Sequence, residues 1–271
     1  MNKLLEIKDL TVKYSSGKKV FSNRIKHISG AEDISFDLIK GEVLGIVGES
    51  GSGKTTVSRC LLGLIKHIDK SSIVSGSVIY NDEGSPVDLL KSKGKVLRKV
   101  RKKIQGVFQD PDSSMNQRLT AGKIIEEPLL NLTNFSKAER DEKVKSILKK
   151  CGLNEDDINK YPAEFSAGQK QRICIARAVV VEPEILIADE PLSSLDISIQ
   201  AQILNLFSEL KEKYNLSMVF ITHDLNIVRI FCDRIIVMQN GKIVEQGITS
   251  EVISNPKHLY TKTLLQSNIS L

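Results

Sequence analysis

Residues 48–55 read Gly-Glu-Ser-Gly-Ser-Gly-Lys-Thr, a complete match to the spacing G-x-x-x-x-G-K-[ST]. Such a loop cradles phosphate only where an apolar strand feeds it and a helix leaves it. Both flanks are present. Val43-Leu44-Gly45-Ile46-Val47 is an uninterrupted apolar run of the kind a parallel sheet buries on both faces. Residues 56–64, starting at Thr56, place Val57, Leu61 and Leu64 on one helical face. Gly48, Gly51 and Gly53 let the backbone curl, so that successive N–H groups, those of Glu49, Ser50 and Ser52 among them, point at phosphate oxygens. The start of the helix adds its positive end. Lys54 supplies a charge for the β- and γ-phosphates, and the Thr55 hydroxyl can ligate Mg2+. The segment therefore commits the chain to a strand–loop–helix unit with a nucleoside-triphosphate site.

A second, acidic element is expected beside such a loop. Ile185-Leu186-Ile187-Ala188 is an apolar strand that ends in Asp189-Glu190, at the carboxyl end where ligands sit in open α/β sheets. Asp189 suits a Mg2+ shell, usually through water. Glu190 points differently and suits a general base acting on water.

The other elements fall around these two. Residues 4–14 alternate, with Leu5 and Ile7, then Leu10 and Val12, directed inward, and a polar stretch (15–32) follows. Residues 34–38 alternate again and turn at Lys40-Gly41; short strands are expected at 77–80 and 106–109. From about 110 to 180 helical signals dominate, with Val144, Ile147, Leu148 and Cys151 at helical spacing. Ile199, Ile203, Leu206, Phe207 and Leu210 mark an amphipathic helix, and a strand follows at 218–222. Residues 235–245 form a hairpin in which Asn240-Gly241 supplies the positive φ angles of a type I′ turn. This pattern predicts a mostly parallel α/β core, residues 1–109 and 181–250, interrupted by a helical subdomain at 110–180 and followed by an extension at 251–271.

Composition narrows the class. The chain has 271 residues, of which 41% are apolar and 27% charged, ample for a real core. Its longest apolar runs are far shorter than the roughly 18–20 residues of a membrane span, and charges stand where an export signal would be apolar. Cys60, Cys151, Cys174 and Cys232 are widely separated, with no C-x-x-C pair, and read as buried small hydrophobes of a reducing compartment. The net charge of +6 is local: residues 91–103 hold eight Lys or Arg and no acid, and the rest of the chain is nearly balanced. That segment reads as an amphipathic helix with Val96, Leu97, Val100 and Ile104 on one face and a solvated basic face. It does not read as a nucleic-acid surface, where basic residues spread and interleave with aromatics. Proximity to anionic lipid is the other reading of the basic face.

Phe165-Ser166-Ala167-Gly168-Gln169-Lys170-Gln171-Arg172 adds a third element. Ser166 reads as a helix N-cap, with Ala167-Gly168 a side-chain-poor approach to the positive end of the helix behind it. The segment resembles the signature motif of ABC transporter ATPases, and it stands about twenty residues before the Asp-Glu strand, as it does in that family. The resemblance covers the whole chain. It implies a P-loop core with an antiparallel β subdomain and an inserted helical subdomain, and two ATP molecules sandwiched between two such chains. In that arrangement Ser166, Ala167, Gly168 and Gln169 cap the γ-phosphate held by a partner. The resemblance makes Gln109 the Q-loop glutamine that senses Mg2+ and the attacking water. Asp196, in Ser193-Ser194-Leu195-Asp196, resembles the D-loop residue, His223 the switch histidine, and Tyr14 the aromatic that stacks on adenine. Ala167 departs from the usual glycine, and a positive φ there would strain it by roughly 1 kcal/mol or more.

Three further stretches resemble the oligopeptide, dipeptide and nickel importer branch: Phe108–Pro111 with Ser114–Thr120, Tyr161–Phe165, and Asn255–Leu265 near the C-terminus. This resemblance implies an ATP-hydrolysing subunit at the cytoplasmic face of the membrane. Its partners would be a second, non-identical ATPase, two permeases and an extracellular solute-binding protein. The polar stretch at 15–32 points to the second ATPase of the pair. Peptide, or nickel and metal chelates, is the implied cargo. Without the cysteines that some members carry in this tail, no iron–sulfur cluster is expected. The rival readings are a soluble ABC ATPase acting on nucleic acid or protein, and a P-loop kinase or GTPase, for which no N-K-x-D base reader is found.

Overall fold

A computed structural model of the chain describes residues 2–16, 26–82 and 85–269. Its strands are β1 (Lys3–Ser16), β2 (Lys26–Ile39), β3 (Val43–Val47), β4 (Ile73–Asp82), β5 (Ser85–Asp88), β6 (Ile104–Val107), β7 (Ile185–Asp189), β8 (Ser217–Thr222), β9 (Arg234–Gln239) and β10 (Lys242–Ile248). The helices are α1 (Lys54–Leu61), α2 (Ile65–Ile68), α3 (Gly94–Lys103), α4 (Pro111–Ser114), α5 (Ala121–Leu132), α6 (Lys137–Lys150), α7 (Ala167–Val179), α8 (Ile197–Tyr214), α9 (Leu225–Phe231), α10 (Thr249–Ser254) and α11 (Leu259–Ile269). Parallel strands, an antiparallel sheet and a block of helices are the three parts that the sequence predicts. The chain divides into two compact bodies: Met1–Leu97 with Val219–Leu271, and Arg98–Met218.

In the first body an antiparallel sheet runs in the order β2-β1-β4-β5. Leu5, Ile7, Leu10 and Val12 are all buried, although strict alternation would put the second pair on the opposite face. The register shifts between Ile7 and Leu10, where Asp9 takes a φ of 51°. This β-bulge resets the phase, so both pairs reach the core. Each such side chain contributes about 1.5–3 kcal/mol by burial. Here the sequence reading is extended: β2 begins at Lys26, inside the polar stretch at 15–32 to which that reading assigns no strand, and β4 is longer than 77–80. Both are antiparallel strands with an exposed face, whose polar residues mask the alternation. The middle of the 15–32 stretch, residues 17–25, lies outside the described residues.

The same body holds the strand that leads to the phosphate loop. β3 is buried along its whole length and pairs in parallel with β9. β9 and β10 form the expected hairpin, with Asn240 at φ 50° and Gly241 at φ 78°.

In the second body β6 and β7 pair in parallel, Val107 opposite Ala188. Val144, Ile147 and Leu148 of α6 are buried, as are Ile203, Leu206, Phe207 and Leu210 of α8. Two expectations are adjusted. Val96 of α3 is 50% exposed, so the apolar face of the basic helix is narrower than its spacing implies, and Ile104 belongs to β6. β6 ends at Val107, which leaves Gln109 two residues beyond the strand. All four cysteines are buried thiols, and burial pushes Cys60 and Cys151 up to about 12. Among the described residues no helix is long and apolar enough to cross a membrane.

Candidate nucleotide site

In the first body, β3 delivers the chain into the loop at Gly48. A Cβ there would lie 2.2 Å from the Met238 carbonyl oxygen, and the residue sits at φ 155°, so both space and backbone exclude a side chain. At the far end Gly53, at φ 104°, is the N-cap of α1; a Cβ would fall 2.4 Å from the Gly30 oxygen. The hairpin turn pins the loop from outside, Gly241 N–H donating to the Ser52 carbonyl at 2.9 Å.

Lys54, only 4% exposed, folds back across the loop and donates to the carbonyls of Gly48 (2.7 Å) and Glu49 (2.9 Å). The start of α1 has no side-chain cap and no acid in its first turn, so its N–H groups face the loop unsatisfied by side chains. Ser52 Oγ is buried without a protein partner. A buried hydroxyl, a buried ammonium and an uncapped helix start fit a multiply charged anion such as a triphosphate. Thr55 is exposed at the same helix start.

Tyr14, near the end of β1, brings its hydroxyl to 3.1 Å from Thr56 Oγ1, and its ring lies so close to Gly30 that a Cβ there would meet Cε2 at 2.4 Å. The ring is thus set beside the first turn of α1. His223 is exposed directly after β8, and the next residue, Asp224, caps α9 by accepting from Asn226 N–H at 2.8 Å. A further contact is one that no motif spacing reveals: Glu49 N–H donates to the hydroxyl of Tyr260, in α11, at 3.0 Å. It corrects the sequence expectation, because the N–H of Glu49 is turned to Tyr260 and that of Ser52 to the Glu49 carbonyl at 3.1 Å, so neither points at a phosphate.

In the second body the parallel register carries Gln109 and the Asp189-Glu190 pair out of the same end of β6 and β7. Gln109 is exposed and Asp189 is buried. Glu190 takes φ 49°, a left-handed conformation that turns the chain sharply out of the strand. Ser166 caps α7 as expected, in a reciprocal capping box: Gln169 N–H donates to Ser166 Oγ at 3.4 Å, and Ser166 N–H to Gln169 Oε1 at 3.0 Å. Ala167 is the first residue of α7, in right-handed helical backbone, so the strain anticipated for a positive φ is absent. Gly168 is the position that needs glycine, because a Cβ would come within 2.7 Å of Ile199 Cγ2. Asp196 caps α8, accepting from Ile199 N–H at 3.0 Å.

Residues 31–193 match the family described as ABC transporter. The chain is 47% identical to the oligopeptide transport ATP-binding protein OppF of Streptococcus mutans, over 98% of this chain and 81% of that protein. It is 44% identical to the dipeptide transport ATP-binding protein DppF of Lactococcus lactis, with the same coverage of both chains. Among solved structures it is similar to the ATP-binding cassette MJ0796, a dimer in a post-hydrolysis state bound to ADP and Pi. The TM-score is 0.74 and the identity 30%, covering 90% of this chain and 98% of that one. The cbiO1 protein of Clostridium perfringens, part of the transporter complex cbiONQ, matches with a TM-score of 0.75 at 28% identity, over 94% and 92% of the two chains.

Proposed function

We propose a function from the premise that the chain belongs to the ABC transporter family, whose ATPases bind and hydrolyse ATP to drive transport. In this reading the transporter is an importer. Its cargo is peptide, in line with the names of the OppF and DppF relatives, which give oligopeptide and dipeptide transport for those proteins. The chain is the second ATPase of a non-identical pair, held at the cytoplasmic face by two permeases that receive cargo from an extracellular binding protein. Nickel or a metal chelate is the competing cargo, and uptake assays separate the two. The observation that carries the ATPase part of the reading is the buried Lys54 amine laid across the Gly48 and Glu49 carbonyls, beside a helix start with no side-chain cap and no acid in its first turn.

The proposed division of labour follows the motifs. Residues 1–109 and 181–250 form the nucleotide-binding core, 110–180 the helical part that meets the permeases, and 251–271 an extension. Lys54 and the loop N–H groups other than those of Glu49 and Ser52, with those of Thr55 and Thr56, hold the phosphates, and the Tyr14 ring stacks on adenine. Glu190 accepts a proton from the attacking water, Gln109 and His223 orient water and γ-phosphate, and Ser166–Gln169 and Asp196 act on nucleotide bound by the partner ATPase. Thr55, Gln109 and Asp189 would hold Mg2+, which would neutralise charge developing on the phosphates. Among the described residues no group of three His, Cys, Asp or Glu side chains could hold a metal by itself.

The test is to trap a tagged Glu190→Gln chain with ATP and Mg2+ in its native host and identify what co-purifies from solubilised membranes. A second ATPase with two permeases supports the importer. Recovery of only soluble partners or nucleic acid would replace it with the non-transport ATPase.

A further inference from the structure

The peptide unit between Gly48 and Glu49 is held at both ends. Its oxygen accepts from Lys54 Nζ at 2.7 Å, and its N–H donates to Tyr260 Oη at 3.0 Å. Tyr260 is buried at 8% exposure in the first turn of α11, 211 residues along the chain from Glu49. The phenol is itself fixed in place. Glu245, on β10, accepts from the backbone N–H groups of Lys257 (2.8 Å) and His258 (3.0 Å), the two residues that precede α11. His258 Nδ1 then accepts from Tyr260 N–H at 3.2 Å. A carboxylate at the N–H groups leading into a helix is a favourable charge–dipole contact, and it anchors the turn that carries Tyr260.

We propose that Tyr260 is a positioning residue for the phosphate loop, and that the C-terminal helix is thereby coupled to nucleotide binding. The Gly48–Glu49 peptide turns its N–H to Tyr260 and its oxygen to Lys54, so it lends no donor to an anion itself; it fixes the course of the chain from β3 into the loop, on which the aim of the later N–H groups depends. Lys54 is the weaker guard of the first peptide, because its ammonium is drawn to the phosphates when nucleotide arrives. The Tyr260 bond acts on the opposite end of the same peptide and requires no such change. It therefore holds the loop preformed both before and during binding, and preformed sites bind more tightly because less order is lost on association. Linkage makes the coupling reciprocal: bound nucleotide holds α11 down.

The inference rests on the nucleotide-site reading above, and its test separates the two. ATP affinity of the full chain is measured by calorimetry for the unaltered protein, Tyr260→Phe and Lys54→Ala, with melting temperatures alongside. Tyr260→Phe keeps the ring and removes only the hydroxyl. The expected result is a roughly 3- to 10-fold rise in its ATP Kd, the range that one hydrogen bond spans, with a melting temperature within a few degrees of the unaltered chain. Hydrogen exchange in α11 should slow on adding ATP to the unaltered chain, and slow less in Tyr260→Phe. A lowered melting temperature with unchanged Kd and unchanged ATP protection would reduce Tyr260 to a packing residue and overturn the proposal. If Lys54→Ala bound ATP normally, the nucleotide site itself would be misassigned and the proposal would fall with it.

Discussion

The Tyr14 hydroxyl stands 3.1 Å from Thr56 Oγ1, which ties the end of an antiparallel strand to the first turn of the helix behind the phosphate loop. That contact fixes the ring at the edge of the loop, where a nucleotide base would extend away from the phosphates. Stacking of a base on an aromatic side chain contributes about 1–3 kcal/mol. Tyr14→Ala should therefore raise the ATP Kd by roughly tenfold or more. Tyr14→Phe, which keeps the face and loses the Thr56 contact, should cost less than half as much in free energy. Equal effects of the two substitutions in equilibrium titrations would mean that the hydroxyl, and not the ring, carries the contribution.

Lys54 and Glu190 should separate binding from chemistry. Lys54→Ala removes a buried ammonium from the loop, and ATP binding should be lost, as read by fluorescent-nucleotide displacement. Glu190→Gln keeps the shape of a residue already set in left-handed backbone, so the fold should persist and ATP should still bind. Its turnover in the assembled transporter should fall by about 10²–10⁴-fold, the usual contribution of a general base. Normal turnover in that variant would remove Glu190 from the chemistry.

The signature segment offers a paired comparison. Ala167 lies exposed in ordinary helical backbone, so Ala167→Gly should leave transporter ATPase unchanged or slightly raised. Gly168→Ala places a methyl 2.7 Å from Ile199 Cγ2 and should destabilise by about 1–3 kcal/mol through overpacking. Thermal melts and ATPase assays on both variants check this. A large loss in Ala167→Gly alone would show that the alanine has a role which its backbone does not reveal.

How far these features were legible beforehand depended on whether their physics is local. The loop with its flanking strand and helix, and the Ser166–Gln169 cap, are contained in short segments whose residue types dictate the backbone, so sequence sufficed. The burial of Leu5 and Ile7 together with Leu10 and Val12 contradicts simple alternation until the bulge at Asp9 is known, and a single aspartate gives no such notice. β2 was hidden because its early described side chains, Ile28 and Ser29, are exposed and set up no inward apolar alternation ahead of Ala31. The Tyr260 contact was beyond reach, because its partner is a backbone N–H 211 residues away and a tyrosine in a C-terminal helix has many ordinary uses.

In the helical body, α5 is stapled to α6 by Glu126, whose carboxylate accepts from Arg140 Nε and Lys123 Nζ, each at 2.8 Å. Burial alone would raise its carboxyl, but the two hydrogen bonds and the adjacent positive charges outweigh burial and hold it below the ordinary glutamate value of 4.5. A depressed folded value means that the ionised carboxylate stabilises the fold above the unfolded value, and that this stabilisation drains away as pH falls through the folded one. Glu126→Gln should therefore destabilise by about 1–3 kcal/mol near neutral pH, where Arg140 loses a buried partner. The difference from the unaltered chain should shrink steadily once the pH drops below 4.5. Urea titrations of both proteins across that interval check the sign. A difference that stayed constant down to strongly acidic pH would mean that the shape of the side chain, and not its charge, holds α5 to α6.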